Sequence, residues 1–251
     1  MSVTAGILYP GYSAEDDYPV LERLLGDVSL PLVHTEMRED AHRVDALLDV
    51  GSEQVLAEGA RRLLEHQVSA VIWACTSGSF VFGWDGARDQ VEKLQAVTGL
   101  PTSSTSFAFV HAAARLEVRR VAVAATYPAE VADRFGEFLA RGGVQVARLS
   151  SRGIVTAAEV GTLTREQVLE FAAANDDPAA EALLMPDTAL HTAALLEELE
   201  QRVGKPVLTA NQVSAWEVLR LAGDSGLREG AGTLFRVAGP AGGGLPGAAP
   251  Q

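Results

Sequence analysis

The stretch Val71-Ile72-Trp73-Ala74-Cys75-Thr76-Ser77-Gly78-Ser79 joins an apolar run to the only cysteine of the chain and a turn of small polar residues. An apolar run that ends in turn residues predicts a buried strand. The turn after it leaves backbone N–H groups and hydroxyls beside the thiol, a setting that suits anions and lowers the pKa of a cysteine. We therefore predict that Cys75 is catalytic.

Strands and helices alternate on both sides of this stretch. Short apolar segments predict strands at 3–9, 28–35, 100–103, 119–126, 144–149, 182–185 and 206–209. Amphipathic segments between them predict helices, and the charge-rich residues 36–49 predict a loop or a short helix. This alternation predicts an α/β fold in which parallel sheets are flanked by helices.

The sequence also contains an internal repeat. The matching pairs are Tyr9-Pro10 with Tyr127-Pro128 (127 − 9 = 118), Cys75-Thr76 with Asp187-Thr188 (187 − 75 = 112), and Pro101 with Pro206 (206 − 101 = 105). These spacings predict two similar lobes at 1–110 and 111–222, with the chain crossing between lobes near its end. Since ligands bind beyond the carboxyl ends of parallel strands, we expect Cys75 and Asp187 on opposite walls of one cleft.

Composition narrows the class of function. A net charge of −13 argues against nucleic acid and anionic membranes as partners. A single cysteine excludes an internal disulfide and favours a cytoplasmic location, and no signal peptide or membrane-spanning run is found. The Gly/Pro/Ala-rich segment 237–251 predicts a flexible tail, and its G-x-G-x-x-G spacing lacks the strand and helix of a dinucleotide site.

Each candidate residue also has a structural interpretation. Cys75 alone could be a small buried hydrophobe. Asp187 could cap a helix that begins near Thr192, or it could be a partly desolvated carboxylate that passes a proton. Tyr127 could belong to the core or direct its hydroxyl into the cleft. His191 could enter the cleft, although a surface position fits better. No histidine or cysteine spacing indicates a metal site.

Several motifs resemble a known family. They are Ala74-Cys75-Thr76-Ser77-Gly78-Ser79 and the segments 101–106, 118–127 and 216–220. Together they resemble maleate cis-trans isomerases, which belong with arylmalonate decarboxylase in the aspartate/glutamate/hydantoin racemase superfamily. The resemblance covers nearly the whole chain except the tail. It implies two pseudo-symmetric α/β lobes, an active site between them, no cofactor and an oligomeric state.

The resemblance also implies roles for individual residues. Cys75 corresponds to the cysteine that adds to the double bond in maleate isomerases. Thr76, Ser77 and Tyr127 correspond to positions that bind a substrate carboxylate, and the neighbouring Gly78 is placed with them. The second family cysteine is replaced by Asp187, and the asparagine after the first strand of isomerases is missing. The decarboxylase branch keeps only the second cysteine, the opposite of this arrangement.

The sequence thus favours a cofactor-independent isomerase or racemase that acts on a small carboxylic acid. Cys75 would attack or deprotonate at one face, and Asp187 would serve as the opposing acid or base. Thr76, Ser77, Tyr127 and Thr188 would bind the carboxylate and its developing charge. The alternatives are a decarboxylase of a malonate-type acid and a non-catalytic protein that binds a small acid. We expect a homo-oligomer.

Overall fold

The computed structural model describes residues 3–224 and 226–238, so most of the predicted tail at 237–251 lies outside the described residues. The strands are β1 (Val3–Thr4), β2 (Gly6–Pro10), β3 (Val28–Ser29), β4 (Leu32–Thr35), β5 (Val71–Trp73), β6 (Thr102–Ser104), β7 (Arg120–Ala125), β8 (Gln145–Ser151), β9 (Ala182–Met185) and β10 (Val207–Thr209). The helices are α1 (Asp17–Leu25), α2 (Val44–Val50), α3 (Glu53–Leu63), α4 (Ser77–Phe80), α5 (Gly83–Thr98), α6 (Thr105–Arg115), α7 (Ala129–Arg141), α8 (Ala157–Val160), α9 (Arg165–Ala174), α10 (Leu196–Val203), α11 (Ala210–Leu221) and α12 (Thr233–Arg236).

Two parallel four-stranded sheets organise the molecule. The first has the strand order β4-β2-β5-β6, and the second has the matching order β8-β7-β9-β10. All strand pairs in both sheets are parallel, with helices in the connections. The α/β fold with parallel sheets flanked by helices, predicted from the sequence, is therefore confirmed.

Strand pairing reproduces two of the three repeat spacings. Trp73 pairs with Ser104 in the first sheet, and Met185 pairs with Thr209 in the second. These equivalent pairs are 112 (185 − 73) and 105 (209 − 104) residues apart, as the sequence indicates.

The third spacing is wrong by two residues. Ile7 pairs with Ile72, and Val123 pairs with Leu184, so β2 and β7 are 116 (123 − 7) residues apart rather than 118. Tyr127 therefore lies two residues farther beyond its sheet than Tyr9 does. Because side chains alternate between the two faces of a strand, a shift of two residues leaves Tyr127 on the same face as Tyr9 but farther along the chain.

The two sheets share one hydrophobic core. Ile7, Ile72, Val123 and Leu184 are all fully buried in it. The helices that follow the last strand of each sheet, α6 and α11, pack against each other, and α11 also contacts β5 and β6 of the first sheet. This packing fixes the two sheets relative to each other and brings their carboxyl ends together.

One strand predicted from the sequence is divided in the structure. Residues 28–35 form β3, which pairs with β1, and β4, which pairs with β2 in the first sheet. Pro31 lies between them and cannot donate a backbone hydrogen bond, although its carbonyl accepts one from Ile7. After β4, residues 36–43 form a loop that leads into α2. No helix in the described ranges, 3–224 and 226–238, has the length and hydropathy to cross a membrane.

Candidate active site

Cys75 lies just beyond the carboxyl end of β5, in the turn that leads into α4. Its side chain is buried. The backbone N–H of Gly78 donates a hydrogen bond to the Cys75 Sγ at 3.2 Å, and the Ser77 hydroxyl oxygen lies 3.9 Å from the same sulfur. The backbone N–H and the hydroxyl that the sequence predicts beside the thiol are therefore both present.

The pKa of this thiol nevertheless moves upward. Burial raises the pKa of Cys75 from 9.0 to about 12, while the Gly78 N–H and the Ser77 hydroxyl lower it and the charge of Asp187 raises it. The lowered pKa expected from the sequence is wrong, because the loss of water around the sulfur outweighs the two hydrogen bonds. At neutral pH Cys75 is a protonated thiol.

Asp187 occupies the matching turn beyond β9. Its Oδ1 accepts a hydrogen bond from the backbone N–H of Ala189 at 3.0 Å, and its Oδ2 accepts one from the Thr126 hydroxyl. Asp187 does not cap the helix near Thr192. That function belongs to Asp17, whose carboxylate accepts hydrogen bonds from the backbone N–H groups of Thr192 and Ala193.

A histidine that the sequence did not single out for the site lies beside Asp187. His42 is buried, and its Nε2 lies 4.0 Å from the Asp187 Oδ2. Its Nδ1 lies 2.9 Å from the Ile154 carbonyl oxygen, and its backbone N–H donates to the Val155 carbonyl at 2.7 Å. Its position beyond the carboxyl end of β4 is the sequence signal that could have identified it.

The loop that carries His42 connects the two halves of the molecule. The Asp40 carboxylate accepts hydrogen bonds from the backbone N–H groups of Ala157 and Ala158 at 2.7 and 2.9 Å. With the contacts of His42, these bonds hold the loop after β4 against the segment after β8. The loop thereby closes one side of the cleft between the sheets.

The cleft itself encloses about 440 Å³, counting space that is open to solvent. Residues from both halves line it, and they are Tyr9, Pro10, Ser13, Met37, Glu39, Asp40, Ala41, His42, Leu47, Val50, Cys75, Ser77, Ala157, Asp187, Thr188 and Ala189. The lining combines apolar side chains with carboxylates and includes no lysine or arginine. Among the described residues no group of three or more His, Cys, Asp or Glu side chains forms a metal site.

The structure places four of the seven predicted site residues on the cleft wall, namely Cys75, Ser77, Asp187 and Thr188. The other three lie behind it. Gly78 faces the sulfur through its N–H, and its carbonyl accepts a hydrogen bond from the Gln90 Nε2 at 2.9 Å. Thr76 and Tyr127 are each about 1% exposed.

Thr76 and Tyr127 are buried beside the cleft in different ways. The Thr76 Oγ1 has no hydrogen-bond partner within the part of the chain that the structure describes. The Tyr127 hydroxyl donates to the Pro186 carbonyl at 2.8 Å. Burial raises the pKa of Tyr127, the charges of Asp187 and Cys75 raise it further, and the Thr76 and Ser77 hydroxyls lower it. Tyr127 thus contacts both turns, although its hydroxyl is already engaged.

Two other features lie outside this site. His191 pairs with Asp16 at 2.9 Å on the surface, in agreement with the surface interpretation. A larger hollow of about 600 Å³ lies between α3 and α5, where Glu53 and Lys93 pair with each other at 3.0 Å. This hollow is not at the carboxyl ends of the strands, so the cleft with Cys75 is the stronger candidate.

The fold and this cleft define a two-lobed α/β protein in which a thiol and a carboxylate from equivalent turns line one site. Within that class the chain belongs to the arylmalonate decarboxylase family, whose family model matches residues 43–235. The arylmalonate decarboxylase of Bordetella bronchiseptica is 31% identical over 186 residues, which cover 72% of this chain and 76% of the relative. The maleate isomerase of Nocardia farcinica is 27% identical over 204 residues, or 77% and 81% of the two chains.

Solved structures give the same grouping. The liganded form of an arylmalonate decarboxylase double mutant, with glycine replaced by cysteine and cysteine by serine, has a TM-score of 0.80 at 26% identity and covers 93% and 99% of the two chains. A cysteine-to-serine mutant of Nocardia farcinica maleate cis-trans isomerase has a TM-score of 0.81 at 21% identity and covers 94% and 99%. That isomerase carries a covalently bound succinylcysteine intermediate, and at this identity the likeness to our chain concerns the fold.

Proposed function

We propose that this protein is a cofactor-independent decarboxylase of a small malonate-type acid, in which Cys75 supplies a proton to the product. The observation that carries the proposal is the burial of the Cys75 thiol, which raises its pKa to about 12 and favours the protonated form at neutral pH. Addition to a double bond requires a thiolate, whereas protonation of a carbanion requires the thiol. The match to the arylmalonate decarboxylase family agrees with this choice.

In the proposed reaction the bond to one carboxyl group breaks and carbon dioxide leaves. Its electron pair remains on the substrate as an enediolate. The S–H bond of Cys75 then breaks, and the proton forms the new C–H bond while the electron pair stays on sulfur. Ser77 and Thr188, which both lie on the cleft wall, are the groups that we assign to the retained carboxylate and its developing charge.

The cleft lining supports loss of a carboxylate rather than its retention. Maleate isomerisation keeps two carboxylates throughout, and cationic side chains would favour a site that binds both. The cleft lining has no lysine or arginine, and Met37, Leu47 and Val50 contribute an apolar wall. An apolar wall disfavours a charged carboxylate relative to neutral carbon dioxide.

A second candidate is an isomerase or racemase that moves a proton between two faces of a carboxylic acid. The specific observation in its favour is Asp187, which lines the same cleft from the other sheet. A carboxylate base on one side and a thiol acid on the other are the groups that such a transfer requires.

The test is a panel of aryl malonates, maleate, amino acids and hydantoins, incubated with the protein in D₂O. We expect carbon dioxide release from a malonate and one deuteron in the product. Cis-trans isomerisation of maleate without carbon dioxide release would contradict the decarboxylase. Exchange of an α-proton without net decarboxylation would favour the second candidate.

A further inference from the structure

His42 is held so that one ring nitrogen faces Asp187. The Ile154 carbonyl oxygen, 2.9 Å from Nδ1, can only accept a hydrogen bond, so Nδ1 carries a proton. This contact fixes the ring and directs Nε2 toward the Asp187 Oδ2 at 4.0 Å. The Tyr127 ring, edge-on to the imidazole with centroids 5.0 Å apart, supports the same orientation.

At 4.0 Å the two facing atoms are within ion-pair distance but beyond a direct hydrogen bond. If both His42 Nε2 and the Asp187 carboxylate lacked a proton, two acceptors would face each other inside a buried site. A proton on Nε2 gives an ion pair, and a proton on Asp187 gives a neutral pair. The Thr126 hydroxyl and the Ala189 N–H both donate to the carboxylate, which favours the ion pair.

Apart from His42, no residue that lines the cleft can place a positive charge beside Asp187. Glu39 is bound to Arg43 at 3.1 Å on the surface, and Asp40 is bound to two backbone N–H groups. The remaining titratable groups that line the cleft are Tyr9 and Cys75. Burial raises the pKa of each of them, so both are neutral at neutral pH. His42 is therefore the one lining residue able to balance the Asp187 charge.

We propose that the His42–Asp187 pair carries one proton, on the His42 Nε2, and returns it to Cys75 after each turnover. This inference rests on the proposed function, in which Cys75 ends each cycle as a thiolate. The Nε2–H bond of His42 breaks, the proton crosses the cleft, and the S–H bond of Cys75 forms again. The pair then takes a proton from solvent at the cleft mouth. The pair thus takes the place of the second family cysteine.

The first test uses no substrate. We would record ¹⁵N spectra of histidine-labelled protein at about pH 8, with the exposed His66 as internal reference. We expect a proton on the Nε2 of His42 while His66 is neutral, and loss of that proton in Asp187→Asn. A His42 signal that follows His66 in both proteins would overturn the inference. Because no turnover is needed, this outcome is separate from failure of the decarboxylase proposal.

The second test separates proton return from a structural role. His42→Asn keeps an amide N–H near the Nδ1 position for the Ile154 carbonyl and removes Nε2, whereas His42→Gln keeps a donor near Nε2. With an aryl malonate that the wild type converts, we expect His42→Asn to give a burst of one product per site and then turnover slowed by at least about tenfold. An equal loss in the first and later turnovers, or rescue by His42→Gln, would contradict proton return.

Discussion

The turn after β5 and the turn after β9 occupy equivalent places in their sheets, yet they surround their thiol and carboxylate differently. At the first turn the Gly78 N–H and the Ser77 hydroxyl reach the Cys75 sulfur, yet burial raises the pKa of the thiol to about 12. At the second turn the Thr126 hydroxyl and the Ala189 N–H each donate to an oxygen of Asp187. The repeat fixes where the two groups lie, and burial outweighs the local donors in setting the pKa of the thiol.

The largest effect is expected from Cys75→Ser, which replaces the thiol with a much less acidic hydroxyl and preserves most of the side-chain volume. We expect kcat/KM for the acid that the wild type converts to fall by about 10²–10⁴-fold. The measurement is initial rates of carbon dioxide release, with circular dichroism to verify the fold. Asp187→Asn is the matched variant in the other turn. If Asp187→Asn lowered kcat/KM as much as Cys75→Ser, the two turns would be equally important for catalysis. That result would favour proton transfer between two faces of the substrate.

A smaller effect, on stability, is expected from Gly51→Ala, which acts on the turn that carries Cys75. A Cβ at Gly51 would lie 2.1 Å from the Gly78 carbonyl oxygen and 2.7 Å from the Gln90 Nε2. We expect the free energy of unfolding to fall by about 1–3 kcal/mol, measured by urea denaturation.

The control for this change is Gly136→Ala on α7. There the new Cβ would lie 3.6 Å from Leu149, an ordinary contact. Since alanine favours a helix over glycine, we expect a gain of up to about 1 kcal/mol. Equal stability of Gly51→Ala and wild type would show that the turn that carries Cys75 can move to make room for the new Cβ.

Backbone pairing explains why so much of the fold could be predicted from the sequence. The spacings that link Cys75 with Asp187 and Pro101 with Pro206 follow from sheet register, which each strand and turn encodes locally. The same local signals fail at 28–35, where Pro31 divides an apolar run between two sheets.

The chemistry of the site was less predictable because it depends on contacts between distant segments. His42 and Asp187 are 145 residues apart (187 − 42), and the loop that carries His42 has no periodic pattern. The turn around Cys75 predicts a lowered pKa from its own donors. The burial that reverses this shift is a property of the packed molecule, with Asp187 adding its charge from the other half.

The raised pKa of Cys75 also predicts how stability depends on pH. The thiol has a pKa of 9.0 when unfolded and about 12 when folded, so folding favours its protonated form. This contribution is complete below about pH 9 and is lost as the pH rises toward 12. At about pH 10 we expect the wild type to have lost about 1.4 kcal/mol more than Cys75→Ser, relative to pH 8. Urea denaturation of both proteins at the two pH values measures it, and parallel losses would contradict a buried thiol.

The smallest expected effect concerns communication between the two turns. The charge of Asp187 raises the pKa of Cys75, but it comes last among the causes, after burial and the two donors. Asp187→Asn should therefore lower the pKa of Cys75 only slightly and increase the rate of iodoacetamide alkylation at about pH 9 by about threefold, which corresponds to half a pKa unit. Asp40→Asn is the matched control, because Asp40 lines the same cleft but is not among the groups that shift this thiol. If both variants reacted at the wild-type rate, the two turns would be electrostatically independent, and Asp187 could influence Cys75 only through a proton that crosses the cleft.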